Sequence, residues 1–433
     1  MKVDLLYGKS VLTVSCPTTA EVTVVRKPLM PTIDNPGLGV SNTLARPVGC
    51  DSLQHLAEDS QTVCILICDV TRPVPNHLFL RPLIETLLGA GISSERITVL
   101  VATGLHRPNE GNELASVIGD DWVSNNVRVV NHDARNDEEH IDLGFTSRNT
   151  PVRLDRRFVE ADLGIATGLV EPHFMAGYSG GRKVVVPGIA HADTIRTLHS
   201  ARFMEDPATV QCNLKGNPLH EEQLEIITML QRHKSRNLFA LNTVINDKRE
   251  LAFVNFGEMV ASHLEAVAFI DQYCTVSTPK RYSTVVTSAA GYPLDQTYYQ
   301  TVKGMVNPIG ILAQDANLII ASECAEGLGS AAYRASQERL LLEGPAAFRT
   351  GILKKRLADI DEWETEMQLK SQRLANVKLY TTGLSDDERA LTGVEIIDSV
   401  DAAIEESVRR TGDSAIAIIP EGPYVVPRFH VQS

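Results

Sequence analysis

TVCILICDVTRPVPNHLFLRPLIETLLGAGISSERITVLVATGLHRP, residues 62–108, decides the fold. Its first seven residues (62–68) are an almost unbroken apolar run rich in Val and Ile. A continuous run, rather than an alternating one, marks a strand covered on both faces, as in a parallel sheet. Residues 77–91 follow, with Leu80, Leu83, Ile84, Leu87 and Leu88 spaced to share one face of a helix. The strand pattern then returns as ITVLVAT, residues 97–103. A buried strand, an amphipathic crossover and a second buried strand predict an α/β sheet with helices on both faces.

The same alternation extends outward. VRVVNH (127–132), ADLGIAT (161–167) and FALNTVIN (239–246) read as further strands. Around STPKRYS (277–283) the chain turns polar, and a second set begins with TVVTSAA (284–290), ANLIIAS (316–322), VKLYTT (377–382) and AIAIIP (415–420). Helical segments at 337–342 and 353–374 supply its crossovers. The expectation is two α/β domains with mainly parallel sheets, residues 1–275 and 276–433, the final residues packing back on the first. No internal repeat or low-complexity tract interrupts the pattern.

The chain has 433 residues, 43% hydrophobic and 22% charged, which is ordinary for a globular protein. Its 41 basic and 54 acidic residues leave a net charge of −13, so no basic face for nucleic acid is expected. The N-terminal stretch lacks a secretory core, and no apolar run is long enough for a membrane span. The seven cysteines are scattered, without a C-x-x-C, which suits a reducing compartment and predicts a cytoplasmic protein.

Polar residues gather just past strand ends. Asp69 and Arg72 follow the first strand, His106 and Arg107 the second, Glu171 and His173 the fourth, and Asp295 the first strand of the second half. Ligands of α/β sheets bind at those carboxyl ends, so an active site in an interdomain cleft is expected. His106 and His173 each follow a strand and a glycine, where an imidazole serves as acid or base near neutral pH, or is a loop histidine bound to backbone. GYSGGRK (177–183) is neither a P-loop nor a dinucleotide fingerprint. Gly177, Gly180 and Gly181 with Ser179 make either an anion cradle or a plain tight turn. Lys183, entering the apolar run VVVPGIA, is either a desolvated, nucleophilic amine or a surface lysine. His199 falls late in a predicted helix, as a buried histidine or a metal ligand. Tyr299, Gln300 and Lys303 share one helical face opened by Asp295, and Arg72 with Lys303 would clamp a carboxylate.

The motifs DVTRPVP (69–75), VATGLHRP (101–108), EPHFMAGYSGGRKVVVPGIA (171–190) with His199, GYPLDQTYYQTVKGM (291–305) and Trp363 occur in that order along most of the chain. In these the chain resembles the lactate racemase family, whose members use a nickel-pincer nucleotide. The resemblance implies that Lys183 carries that cofactor (pyridinium-3,5-bisthiocarboxylic acid mononucleotide nickel) and that His199 is the protein ligand of the nickel. It implies that the N-terminal domain holds both. His106 and His173 would be the paired acid–base groups. Asp69, Arg72 and the glycine turn (Gly177, Ser179, Gly180, Gly181) would hold the cofactor. Arg72, Lys303, Tyr299, Gln300 and Trp363 would surround a small 2-hydroxy acid. The reaction implied is inversion at C2 by reversible, proton-coupled hydride transfer. Separate cofactor-biosynthesis proteins are implied partners, and protein made without them would lack the cofactor.

Two positions depart from the family prototype. Val70 stands in place of a histidine and Met175 in place of a phenylalanine, both near the expected substrate. A roomier, more apolar pocket follows, and with it a substrate other than lactate. The alternatives are lactate racemase activity proper, a pyridoxal phosphate Schiff base at Lys183, and a non-catalytic carboxylate- or cofactor-binding member.

Overall fold

The structure, a computed structural model, describes residues 1–429. By its contacts the chain divides into two compact units. The first contains Leu29–Leu198 and Ala208–Gln272; the second contains Met1–Pro28, His199–Pro207 and the chain from Tyr273 onward. The expected seam near residue 275 has a counterpart at Gln272, but two earlier segments also belong to the second unit. The strand Glu21–Val24 is there because it completes the edge of that unit's sheet. The segment His199–Pro207 is there because Ala201 packs with Leu340, Phe348, Ile352 and Leu369. His199, expected beside Lys183 in the N-terminal domain, is therefore a residue of the second unit.

The first unit is built on β1 (Val63–Cys68), β2 (Ile97–Ala102), β3 (Arg128–Asn131), β4 (Leu163–Leu169), β5 (Phe239–Ile245) and β6 (Leu251–Glu258). Their order across the sheet is β6-β5-β4-β1-β2-β3. All neighbours are parallel except the edge pair β5–β6. Helix α1 (Asn76–Gly89) lays Phe79, Leu80, Leu83, Ile84 and Leu87 into the same core as Ile65, Ile67, Val99 and Val101. The apolar stripe read from the sequence is thus the buried one. The chain runs one way through β1, β2 and β3, then returns to place β4 on the other side of β1. That reversal is a topological switch point, where loops leave the strand ends in opposite directions and open a crevice.

The second unit is built on a sheet of six parallel strands. They are β7 (Tyr282–Ser288), β8 (Leu312–Ala321), β9 (Ala375–Tyr380), β10 (Glu395–Ile397), β11 (Ala415–Ile419) and the early strand Glu21–Val24. Three local expectations are corrected. The crossover expected over 353–374 is shorter, α3 (Glu362–Gln372), entered through Asp361 with φ of 63°, and residues 354–361 part it from the helix Pro345–Leu353. The helix expected from Asp295 begins at Tyr298 as α2 (Tyr298–Val306), because Thr297 caps it by accepting the Gln300 N–H at 3.3 Å. The helix before His199 ends at Leu198, leaving the histidine just beyond it. Val426–Phe429 pairs with Thr275–Thr278 inside the second unit. The rest of the tail expected to pack back on the first domain lies outside the described residues.

Candidate active site

The loops after β1, β2 and β4 bring the first unit's candidate residues to its switch point. Asp69 is buried at the end of β1. Its Oδ1 accepts the Thr71 hydroxyl at 2.6 Å and its Oδ2 lies 2.7 Å from His106 Nδ1. Burial alone would raise this carboxyl, but His106, Thr71 and Arg72 outweigh it and hold it below the ordinary range. Asp69 therefore stays ionised and orients His106, a different task from the cofactor contact expected of it. The His106 side chain is 62% exposed. Arg72 forms an ion pair with Glu171 on the loop after β4, and this guanidinium stays charged despite its desolvation. Any substrate or cofactor anion at Arg72 must share it with Glu171. Val70, 45% exposed, has its N–H held by Asn109 Oδ1 at 3.2 Å.

His173 is buried, and its Nδ1 accepts the N–H groups of Met175 at 3.3 Å and Ala176 at 3.2 Å. Asn217 fixes the same loop by donating to Met175 O at 2.9 Å. The Met175 side chain is buried too.

The glycine turn packs inward. A Cβ on Gly177 would sit 2.4 Å from Asn213 O, and one on Gly181 would sit 2.8 Å from the His263 ring; both backbones have positive φ. Ser179 accepts the Glu171 N–H at 3.0 Å and donates to Leu169 O at 2.8 Å. These residues thus have a tight-turn reason for their identity, and the Ser179 hydroxyl is committed to backbone. Charge at this turn comes instead from Arg182, which is 2% exposed. Its Nη2 donates to Ala176 O and Tyr178 O, and its Nη1 meets His263 Nε2 at 3.1 Å. Among the described residues no carboxylate pairs with it, and burial alone pushes the guanidinium down to about 9. Its Nε has no partner among the described residues. An uncompensated buried cation beside Lys183 suits a phosphate-bearing group, since an anion would repay its desolvation. Lys183 itself is half-buried on the one-turn helix Arg182–Val185.

The second unit links its five candidates in two groups, His199 with Trp363 and Tyr299, and Lys303 with Gln300. The His199 ring lies 4.6 Å from the Trp363 ring, between centroids. Trp363 Nε1 donates to the Tyr299 hydroxyl at 3.3 Å. Lys303 Nζ donates to Gln300 Oε1 at 2.5 Å on the same helix. A member not singled out by the sequence is Glu364. It is fully buried, burial holds it well above the ordinary carboxylate range against the pull of Lys303, and both its oxygens lack partners among the described residues. Burial, with Glu364 and Asp361 adding to it, likewise keeps Tyr299 protonated. Asp295 is structural: its Oδ2 accepts the N–H groups of Gly8 at 2.7 Å and Glu323 at 3.2 Å, tying the N-terminal hairpin to the loop after β8.

Chemically, the first unit offers a carboxylate-oriented imidazole, a second imidazole held by backbone, an amine and two guanidinium groups. The second offers an imidazole against indole, a phenol, an amide and a cation. Sequence reading did not single out Asn109, Arg182, His263 or Glu364, whose neighbours come from distant parts of the chain: Asn109 holds the Val70 N–H and Arg182 meets His263.

Comparison with known proteins follows this geometry. Residues 7–211 match the family described as Lactate racemase N-terminal domain, and residues 278–426 match Lactate racemase C-terminal domain. The chain is 34% identical over 397 residues to the lactate racemase of Thermoanaerobacterium thermosaccharolyticum, covering 90% of each. It is 30% identical over 390 residues to that of Lactiplantibacillus plantarum, covering 89% of this chain and 90% of the other. The structure of the lactate racemase apoprotein from T. thermosaccharolyticum superposes with a TM-score of 0.89 at 29% identity, over 99% of this chain and 100% of that one. A Thermotoga maritima protein, at 18% identity and a TM-score of 0.64, shares the fold over 87% of this chain and 96% of its own.

Proposed function

Since this chain belongs to the lactate racemase family and is a racemase, hence an isomerase, we propose that it inverts C2 of a 2-hydroxy acid other than lactate. The observation that carries the chemistry is the Asp69–His106 pair at the first unit's switch point, with Arg72 on the same loop as Asp69. A hydroxy acid needs one group to take its hydroxyl proton and another to hold its carboxylate, and these residue types do so.

The proposed cofactor is the nickel-pincer nucleotide, attached at Lys183 and ligated by His199; when bound it supplies a hydride acceptor. Hydride loss from C2 avoids the dianion that proton loss beside a carboxylate would create. The chain's own residues do the rest. Arg182 offsets phosphate charge from beneath the turn. Lys303, aligned by Gln300, attracts the substrate carboxylate. Tyr299 stays protonated and donates to oxygen. Trp363 excludes water from His199. His106 and His173 act on the C2 oxygen.

Val70 supports a substrate larger than lactate, because it places an exposed apolar side chain next to Asp69. The test is a panel of single-enantiomer 2-hydroxy acids given to cofactor-loaded enzyme, with C2 inversion read by chiral chromatography. A substrate with a larger apolar group should exceed lactate in kcat/KM. Lactate as the best substrate would refute the specificity, and inversion that survives both His106→Ala and His173→Ala would refute the site. Stoichiometric nickel and a heavier Lys183 peptide separate this cofactor from pyridoxal phosphate.

A further inference from the structure

Glu364 is a fully buried carboxyl beside the residues expected to hold the substrate. Its helix, α3, packs along α2, and hydrogen bonds stitch the contact. The Tyr298 hydroxyl donates to Gln368 Oε1 at 3.1 Å, the Ser371 hydroxyl to Met305 O at 2.9 Å, and Trp363 Nε1 to the Tyr299 hydroxyl at 3.3 Å. Glu364 lies in this layer with no exposed surface, and neither of its oxygens has a hydrogen-bond partner among the described residues. A carboxylate without donors is costly to bury, so the group keeps its proton at neutral pH.

The charges that act on it are few. Lys303 on α2 draws it toward ionisation, and Asp361, just before α3, opposes that pull. Tyr299 on α2 and Tyr333 on the helix Ala331–Glu343 also face it, and burial keeps both protonated. Of the other acids on α3, Glu362 is held by Arg339 and Lys355. On the segment His199–Pro207, His199 faces Trp363, and Glu205 acts on Glu366. Lys303 is thus the cation whose charge Glu364 is placed to cancel.

We propose that Glu364 sets the charge of the carboxylate clamp: protonated, it leaves the Lys303 charge to the substrate carboxylate, and ionised, it cancels that charge and turns the acid away. Glu364 acts through Lys303 and is a positioning residue. The proposal rests on the reading above that Lys303 attracts the carboxylate of a 2-hydroxy acid. A substrate carboxylate at Lys303 takes up the attraction that favours ionised Glu364. Binding therefore raises the proton affinity of Glu364, and by reciprocity the proton raises the affinity for substrate. Binding is tight while Glu364 holds its proton and weakens as pH rises through the point where the proton is lost. Beyond that point each substrate bound takes up a proton. The bound complex holds the same protonated form over this range, so the effect falls on KM and spares kcat.

The test has a structural and a binding reading. In the full-length chain without substrate, infrared spectra of wild type minus Glu364→Gln should show the carbonyl stretch of a protonated carboxyl at pH 7 and lose it as pH is raised to 10. Lys303→Met removes the pull toward ionisation and should keep that band to higher pH. In cofactor-loaded enzyme the probe is racemic 2-hydroxybutyrate, already at equilibrium, so calorimetry reads binding and not turnover. Its Kd should rise by up to about tenfold per pH unit on the alkaline side. Buffers of different ionisation enthalpy should reveal proton uptake there. Glu364→Gln cannot ionise and should lose both the rise and the uptake. No carboxyl band at pH 7, a band unmoved by Lys303→Met, or wild-type pH dependence in Glu364→Gln would each overturn the proposal. Proton-linked binding by a chain that inverts no hydroxy acid would sink the function proposed above and leave the role of Glu364 standing. Inversion with a KM unchanged from pH 6 to 10 would sink this proposal alone.

Discussion

Replacing Asp155 by Asn should destabilise the first unit by about 3–5 kcal/mol at pH 7, because it leaves buried charge unpaired. Asp155 has no exposed surface. Its Oδ1 accepts Arg157 N–H at 3.0 Å and Arg157 Nε at 2.8 Å; its Oδ2 accepts Arg157 Nη2 at 2.5 Å and lies 2.9 Å from His132 Nδ1. Its backbone N–H donates to Ile189 O at 3.0 Å, and His132 Nε2 lies 3.1 Å from Ala190 O, so this network anchors the end of the segment that carries Lys183. Burial by itself would raise the carboxyl, but Arg157 and His132 prevail and bring it from the ordinary 3.8 to about 2. That difference corresponds to about 2.4 kcal/mol of charge-dependent stability. The native state binds this proton more weakly than the unfolded chain. The contribution is therefore complete above the ordinary value and is lost as pH falls through the native one. By pH 3 about 1 kcal/mol of it has gone, so the wild-type advantage should shrink by that amount. Trp122 lies in the first unit and Trp363 in the second, so urea unfolding followed by fluorescence in a Trp363→Phe background reports the right unit. An Asp155→Asn penalty below about 1 kcal/mol at pH 7, or one that grows on acidification, would refute the reasoning.

Two further outcomes follow from packing and burial. Gly181→Ala forces a Cβ to within 2.8 Å of the His263 ring at a φ of 49°, so a loss of about 2–4 kcal/mol is expected, seen as a lowered Tm; an unchanged Tm would contradict the tight-turn reading. Glu366 is buried, which pushes its carboxyl up to about 8, with Glu205 adding to the effect and Lys370 opposing it. The native state here holds the proton more tightly, so wild-type stability falls as pH rises from the ordinary 4.5 towards 8. Glu366→Gln should match wild type near pH 5 and gain on it above, by up to roughly 1.4 kcal/mol per pH unit, in urea unfolding curves; parallel curves would count against the burial argument.

How much was legible depended on distance along the chain. The strand at Val63–Cys68 and the face of α1 were readable because a strand buried on both sides and a helix buried on one write their pattern into a few consecutive residues. Asp69, His106 and His173 stood out because polar side chains beyond buried strands have few structural reasons to be there. Their pairing was not readable: Asp69 and His106 are 37 residues apart and Arg72 and Glu171 are 99 apart, and only the strand order brings them together. The glycines near Lys183 left a cradle and a tight turn open, because spacing reports conformational freedom and says nothing of what fills the space beside them. That His199 belongs to the second unit was not readable, because the chain from His199 to Pro207 folds with residues more than a hundred positions later.

The sequence by itself determined the class of fold and the family, since these rest on local periodicity and on runs of adjacent residues. Tertiary structure alone decided which carboxylate meets which imidazole, and that Arg182 Nε and both Glu364 oxygens are buried without a hydrogen-bond partner among the described residues. Protonation and hydrogen bonding depend on the atoms within a few ångströms of a group, and in a parallel sheet those neighbours come from distant parts of the chain.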